Sequence, residues 1–348
     1  LAAGGPAAGT GSVMGSSCMN GFELINLHPP QADVLAAVRD GLRRHPRQLP
    51  AWLLYDQEGS ALFDAITRQP EYSLTRVEQA LLRQEAASMA RALPTAGMLV
   101  EFGAGSAEKV SPLLEAMKDP AYLAIDISAE HLRGAGERLQ QRHPAIPMLG
   151  LCADYSQPLQ LPLPPHLAQR PRVGFFPGSS LGNFCPEQAI TFLSRLRQLL
   201  GPEGLLLIGI DQPRNRALLE AAYDDAAGIS AAFAFNLLTR LQRDLGAELD
   251  SAGFAYQARW EEAHNRIAMA LVAQGHQQLK VAGLESCFAP GDELITEYSY
   301  KFSPRDFLLL AAQAGWHGRA RWSDADEHFS VHLLEPSDGE QTDPVKES

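Results

Sequence analysis

The sequence predicts an α/β fold, a doubly wound and mostly parallel sheet carrying a second, smaller α+β unit. Apolar runs that read as strands alternate with amphipathic runs that read as helices between Met98 and Ile210. That alternation implies parallel pairing with right-handed crossovers. The first of these strands, Met98 to Val100, ends at the acid Glu101 and opens into the turn Gly103-Ala104-Gly105. Acids also close the next two strands, at Asp126 and Asp154. In open sheets of this class ligands sit at the carboxyl ends of the strands, so the chemistry is expected there.

Each element has a local reason. From Pro30 to Arg44 the apolar residues Val34, Leu35, Val38 and Leu42 recur at helical spacing. Tyr55 to Phe63 runs into a helix through Arg68, and Pro70 to Arg76 reads as a connector. Thr75 is read as the cap of a helix from Val77 to Leu93, with Glu78 closing a capping box. After the glycine turn, Ser106 is the expected cap of a helix from Ala107 to Met117. Strands are expected at Tyr122–Asp126, Pro147–Leu151, Val173–Phe176 and Leu205–Ile210, with helices at Ala129–Arg142 and Glu187–Leu200. Beyond Asp211 the pattern changes. Helices are expected at Arg216–Ala227 and Ala231–Leu245, then strands at Ala255–Trp260, Arg266–Val272, Gln278–Val281 and Glu293–Lys301. A helix from Pro304 to Ala314 and strands at His317–Trp322 and His328–Leu334 would complete the sheet with an antiparallel edge. The expected division is a flexible tail over 1–24, a substrate or lid unit over 25–76 and 213–302, a cofactor unit over 77–212 and 303–336, and a disordered tail over 337–348.

Composition narrows the function classes. The chain of 348 residues is 45% hydrophobic and 20% charged, with a net charge of −12. That balance argues against a nucleic-acid surface, which needs clustered Lys and Arg. No run approaches the ~18 apolar residues of a membrane span, so no membrane partner is expected. Cys18, Cys152, Cys185 and Cys287 lie far apart without a Cys-x-x-Cys pair, which reads as free thiols in a cytoplasmic protein. Leu1 to Asn20 lacks the basic start and apolar core of a signal peptide. The chain is expected to act as a monomer on a small molecule.

The glycine turn is not a dinucleotide fingerprint, because Lys109 follows and no third glycine opens the helix. Glu101-x-Gly103-x-Gly105 with Asp126 and Asp154 instead fits an adenosine ligand without a pyrophosphate, S-adenosylmethionine being the common one. The turn would cradle the methionine part, and a carboxylate would take the ribose diol. Gly178-Ser-Ser-Leu-Gly-Asn183 closes the fourth strand, where Asn183 offers donors and an acceptor. Asp224 and Asp225 read as solvated helix residues, with Tyr223 beside them. Glu297, Ser299 and Lys301 share one strand face, opposite Tyr298 and Tyr300. His328 and His332 lack a nearby third ligand, and no metal site is expected.

Taken in order, Tyr55-Asp-x-x-Gly-Ser-x-Leu-Phe63, Pro70-Glu-Tyr72 with Thr75-Arg76, Glu101-Phe-Gly-Ala-Gly-Ser, Gly178-Ser-Ser-Leu-Gly-Asn183, Tyr223-Asp-Asp-Ala-Ala-Gly228 and Thr296-Glu297 resemble the histidine α-N-methyltransferases of ergothioneine biosynthesis. The resemblance covers about Leu27 to Leu334. It implies a class I methyltransferase (Rossmann-like) sheet and S-adenosylmethionine-dependent trimethylation of L-histidine to hercynine. It implies that Gly103, Gly105, Lys109, Asp126, Asp154 and Tyr155 contact the cofactor. Tyr55, Phe63, Gly178, Ser180, Asn183, Tyr223, Met269, Glu297 and Ser299 would line the histidine site. Asn183 and Tyr223 would hold the carboxylate and amine, Glu297 and Ser299 the imidazole, and Tyr55 would act in catalysis by orienting the amine or relaying its proton. The chain departs from the family pattern at Ser73 (a second aromatic expected), Tyr155 (Phe common) and Ser180 (Thr usual). Two other readings stand beside this one: methylation of another aromatic amino acid such as a tryptophan derivative, and a non-catalytic S-adenosylmethionine-binding protein.

Overall fold

A computed structural model describes residues 22–28 and 33–337. The expected terminal tails lie mostly outside these residues, as do Cys18 and the expected helix start at Pro30. Among the described residues fourteen strands run in chain order: β1 Glu23–Asn26, β2 Arg47–Gln48, β3 Met98–Phe102, β4 Ala121–Asp126, β5 Met148–Cys152, β6 Arg172–Phe176, β7 Leu205–Asp211, β8 Phe254–Glu261, β9 Arg266–Ala273, β10 Gln277–Val281, β11 Leu284–Phe288, β12 Glu293–Tyr300, β13 Trp316–Ser323 and β14 Phe329–Pro336.

Eight of them form one sheet in the order β1-β5-β4-β3-β6-β7-β14-β13. The pairs from β1 to β7 are parallel, and β14 and β13 add the antiparallel edge. This is the doubly wound sheet expected of a class I methyltransferase. All five residues of β3 are buried, because helices cover both faces of its sheet. Alternation along β3 divides the core. Leu99 belongs to the cluster beneath the helix Leu74–Ala92, while Met98, Val100 and Phe102 pack with Phe192, Leu196 and Phe307 on the other side. The strand order reverses between β3 and β6, so a crevice opens outside their carboxyl ends.

A four-stranded sheet, β2-β12-β9-β8, stands beside those ends, and β10 and β11 form a separate hairpin. Backbone bonds fasten this second sheet to the first. The Phe302 N–H donates to the Asp211 carbonyl at 3.2 Å, so the exit of β12 meets the exit of β7. Gly182 permits the same closeness, since a Cβ there would stand 2.6 Å from the Tyr300 carbonyl oxygen. No described helix is long and apolar enough to cross a membrane.

Several local expectations are corrected. Residues 23–26 are a strand paired in parallel with β5, not part of a tail or of the substrate unit. The helix after the glycine turn begins at Ser111 rather than Ala107. Gly105 and Ala107 both take left-handed φ, which breaks a right-handed helical run, and Pro112 suits the later start. The long helix starts at Leu74 behind Ser73, so Thr75 is inside it and Glu78 is not part of a capping box. The helix from Arg216 stops at Tyr223, and the segment before Asp56 contains a short 3-10 helix, Ala51–Leu54. Strand β11, Leu284–Phe288, is not among the expected strands; it pairs antiparallel with β10 and buries Ser286 and Phe288 on one face.

Candidate active site

The cofactor side is built from the ends of β3, β4 and β5. Gly103 and Gly105 take φ of 71° and 50°, a region where side chains are strained and glycine is not. A Cβ on Gly103 would meet the Tyr155 hydroxyl at 2.9 Å, whereas one on Gly105 would meet nothing. The turn is therefore closed on one side and open on the other, as a ligand cradle requires. The Gly105 N–H donates to Asp126 Oδ2 at 3.2 Å, and the Ser128 N–H donates to Oδ1 at 3.0 Å. Asp126 is thus held at the lip of the turn. Asp154 accepts from the Ser156 N–H and hydroxyl, both on Oδ1. Tyr155 packs edge-on against Phe102 and Phe176. Beneath the turn Glu101 is buried and accepts from the Tyr122 hydroxyl at 2.5 Å. Burial pushes its carboxyl up to about 8, against the pull of Tyr122 and Lys109.

These features fit S-adenosylmethionine: an open backbone cradle, a carboxylate at the end of the next strand, and an aromatic-backed recess beyond β5. Lys109 joins this side to the crevice. Its Nζ lies 2.6 Å from Glu78 Oε2, and Glu78 Oε1 accepts from the Gly178 N–H at 2.7 Å. A buried carboxylate on the helix Leu74–Ala92 therefore ties the residues following both switch-point strands together.

Across the crevice lies a second set. Tyr55 contacts Phe63 and Phe233 with ring centroids 5.6 and 5.3 Å away, and Phe63 leads on to Tyr72 and Tyr223 at 6.4 and 5.8 Å steps. Tyr55 is 38% exposed, yet desolvation and then the Glu297 carboxylate hold its hydroxyl well above the usual tyrosine range. The two coexist when a side chain faces an enclosed cleft rather than open solvent. Glu297 is only 7% exposed and Met269 stands opposite it on β9. Burial raises the Glu297 carboxyl to about 8, against the attraction of Lys301, and its Oε1 has no hydrogen-bond partner among the described residues. Ser299 Oγ lies 2.9 Å from the Tyr223 hydroxyl. Lys301 donates to Tyr223 at 2.6 Å and to Ser299 at 2.9 Å, and pairs with Asp211 at 2.7 Å. Arg214 holds the other Asp211 oxygen.

The structure brings Tyr55, Phe63, Tyr223, Met269, Glu297 and Ser299 to one cleft wall. Gly178, with φ of 84°, and Ser180 lie in the loop after β6. The Ser180 hydroxyl donates back to the Pro177 carbonyl at 3.0 Å. Asn183 is exposed at the end of the 3-10 turn Ser180–Asn183. Asp225, read as solvated, is buried and accepts from the Ile229 and Ser230 N–H groups. Among the residues not anticipated for the site are Tyr72, Phe233, Asp211 and Glu78, and Lys301 was noted only for its strand face. Asp211 could have been found, since it ends an apolar strand as Asp126 does. Near β14, Asp324, Asp326 and His328 approach one another, with Asp324 accepting from the Phe329 and Asp326 N–H groups.

Comparison with known proteins places this geometry. A family model described as "Histidine-specific methyltransferase, SAM-dependent" matches residues 34–336. A histidine N-alpha-methyltransferase of Mycolicibacterium smegmatis is 39% identical over 306 residues, 85% of this chain and 92% of that protein. Ergothioneine biosynthesis protein 1 of Neurospora crassa is 29% identical, over 84% of this chain and 33% of that larger protein. A 4-dimethylallyltryptophan N-methyltransferase of Epichloe festucae var. lolii is 25% identical, over 90% of this chain and 98% of that protein.

Proposed function

The chain belongs to the histidine-specific, S-adenosylmethionine-dependent methyltransferases, and we propose that it methylates the α-amine of L-histidine three times, giving hercynine for ergothioneine biosynthesis. The observation that carries the substrate is Glu297. Its buried carboxyl, with one oxygen lacking a partner, lies in a cleft otherwise lined by aromatic rings. A polar ring supplies that partner, and a phenyl ring does not. An indole ring, such as the relative acting on a dimethylallyltryptophan would receive, brings one N–H where imidazole brings two polar ring atoms. A site built around such a group penalises a ligand that leaves it unpaired.

In this reading 27–76 and 213–302 supply the substrate side. Gly103, Gly105, Asp126, Asp154 and Tyr155 hold the cofactor, with Lys109 at their border. When bound, the cofactor supplies a methyl group on a sulfonium. The protein's part is to align the amine lone pair with that methyl group, and positioning of this kind supplies most of the acceleration. In this reading Asn183, with Tyr223, holds the amino-acid carboxylate and amine beside the loop from Gly178 to Ser180, while Glu297 and Ser299 take the ring. Tyr55 is the catalytic residue, and its hydroxyl orients the amine or passes on its proton. Each methylation moves one proton from the amine to solvent and ends on a fixed positive charge at the third step. Phe63, Tyr72 and Phe233 tolerate that charge through cation–π attraction, about 1 kcal/mol per well-placed ring. The free thiols Cys152, Cys185 and Cys287 fit a cytoplasmic setting.

The test is direct. Incubation with isotopically labelled S-adenosylmethionine and L-histidine should yield a product carrying three added methyl groups by mass spectrometry. Glu297→Ala should raise KM for histidine by roughly 100-fold or more, with a smaller change in kcat. Turnover of a tryptophan derivative but not histidine would transfer the assignment to that substrate. No turnover of any amino acid would leave a non-catalytic cofactor-binding protein.

A further inference from the structure

The buried lysine beside the ring site has a use beyond balancing charge. Lys301 is buried and has three N–H donors. All three are spent: on Asp211 Oδ2 at 2.7 Å, on the Tyr223 hydroxyl at 2.6 Å and on Ser299 Oγ at 2.9 Å. Both hydroxyl oxygens therefore give one lone pair to the ammonium. The two hydroxyls also share a hydrogen bond at 2.9 Å. A phenol is the stronger donor of the two, so Tyr223 donates and Ser299 accepts. Ser299 then has no lone pair left. Its remaining capacity is one O–H, free to point at a ligand.

We infer that Lys301 is a positioning residue that makes Ser299 a pure donor, so the site admits the histidine ring only as neutral imidazole, one ring nitrogen accepting from Ser299 and the other donating to Glu297. This rests on the histidine reading above and adds the protonation state of the bound ring. An imidazolium carries N–H on both nitrogens, and one of them would face the Ser299 proton. The unpartnered Glu297 Oε1 is the acceptor for the single remaining N–H.

Other charged or titratable groups surround the ring site. Tyr55 and Tyr72 come from the N-terminal segment. Tyr223, with Asp224 and Asp225, closes the helix Arg216–Tyr223. Tyr256 on β8 donates to the Tyr223 carbonyl at 2.6 Å. Asp211 and Arg214 follow β7, and Glu297 and Lys301 belong to β12 and its exit. Burial and neighbouring carboxylates keep the hydroxyls of Tyr55, Tyr72 and Tyr256 above their ordinary range. Burial pulls the Lys301 ammonium down, but Asp211 and Tyr223 together outweigh it and keep Lys301 protonated. Burial holds the Glu297 carboxyl up at about 8, so it keeps its proton below that and offers its carbonyl oxygen to the ring N–H. Across mildly acidic pH the free histidine ring is therefore the group that titrates.

The experiment measures L-histidine binding by calorimetry with S-adenosylhomocysteine present, between about pH 5.5 and 7.5. For the wild-type protein the dissociation constant should rise about tenfold per pH unit below the ring's pKa of about 6.5, because one proton must leave the ligand. Lys301→Met leaves Asp211 paired with Arg214 and returns a lone pair to Ser299. Tyr223→Phe does the same while keeping the Lys301–Asp211 pair, and keeps the test open if Lys301→Met does not fold. Both should bind more weakly at pH 7.5 yet show an acid limb less than half as steep. A wild-type slope retained in whichever variant folds overturns the inference, as does a flat wild-type profile. Absence of histidine binding to the wild-type protein at every pH overturns the histidine reading itself.

Discussion

Tyr55 carries the sharpest question about a single residue. Desolvation and the nearby Glu297 carboxylate keep its hydroxyl protonated well above neutrality. It is therefore no phenolate base at pH 7; it can orient the amine or relay a proton to water. Both roles are lost in Tyr55→Phe, which leaves the ring and its edge-on contacts with Phe63 and Phe233 in place. Single-turnover rates with histidine and with its mono- and dimethyl forms should each fall by roughly 100-fold, the lower end of a general acid–base contribution. Equal rates in variant and wild type would remove Tyr55 from proton handling. At this scale the sequence was informative where motifs name residue types. Tyr55, Tyr223 and Glu297 stand in motifs visible in the sequence, and the fold brings them to one wall. The Lys301–Asp211 pair was not legible, because two charges about 90 positions apart signal nothing until β7 and β12 meet at Phe302.

Among the elements, the helix Leu74–Ala92 does more than cover the sheet. Its Glu78 is fully buried and bridges Lys109, beyond the glycine turn, to the Gly178 N–H after β6. Sequence periodicity found this helix, yet it assigned Glu78 to a capping box. A Ser/Thr-x-x-Glu spacing is local, while the fate of the carboxylate depends on strand ends that arrive much later in the chain. Gly209 records how tight the bridge is, since a Cβ there would stand 2.5 Å from Glu78 Oε1. Removing one partner of such a pair leaves the other without compensation, and Lys109 retains some solvent contact, so the cost falls below that of a fully buried pair. Glu78→Ala should lower stability by about 2–3 kcal/mol in urea unfolding. Because it frees both loops, it should also weaken S-adenosylhomocysteine and histidine binding together. Weakening of one ligand alone would show that the bridge does not couple the two sides.

The whole molecule was legible in outline because its central sheet follows simple rules. Apolar runs ending in acids, alternating with amphipathic helices, dictate a parallel sheet and a switch-point crevice. The short strands β1, β2 and β11 escaped because two to five residues carry too little pattern; partners made elsewhere in the chain define them. The same global view yields a pH dependence that no single element determines. Glu101 and Glu297 are both raised to about 8 from a model-peptide value of 4.5. A folded carboxyl that keeps its proton where the unfolded chain has lost it destabilises the fold as pH rises. The loss runs from about 4.5 to about 8 for each group. His332, lowered to about 4 by burial, acts in the opposite sense. It adds stability as pH climbs from 4 to 6.5, and nothing beyond. Asp56, Asp225, Asp244 and Glu261, all lowered, contribute stability that is complete above their unfolded values. Asp224 is also raised, by burial and then by Asp225; between about pH 6.5 and 8 the two carboxyls raised to about 8 are left unopposed. The ligand-free protein should lose melting temperature most steeply in that interval, with a slope near two protons. Glu297→Gln should roughly halve the slope, and Glu101→Gln should do the same. A melting temperature independent of pH across the interval would show that both carboxyls ionise near their ordinary range, and that Glu297 meets its substrate as a carboxylate.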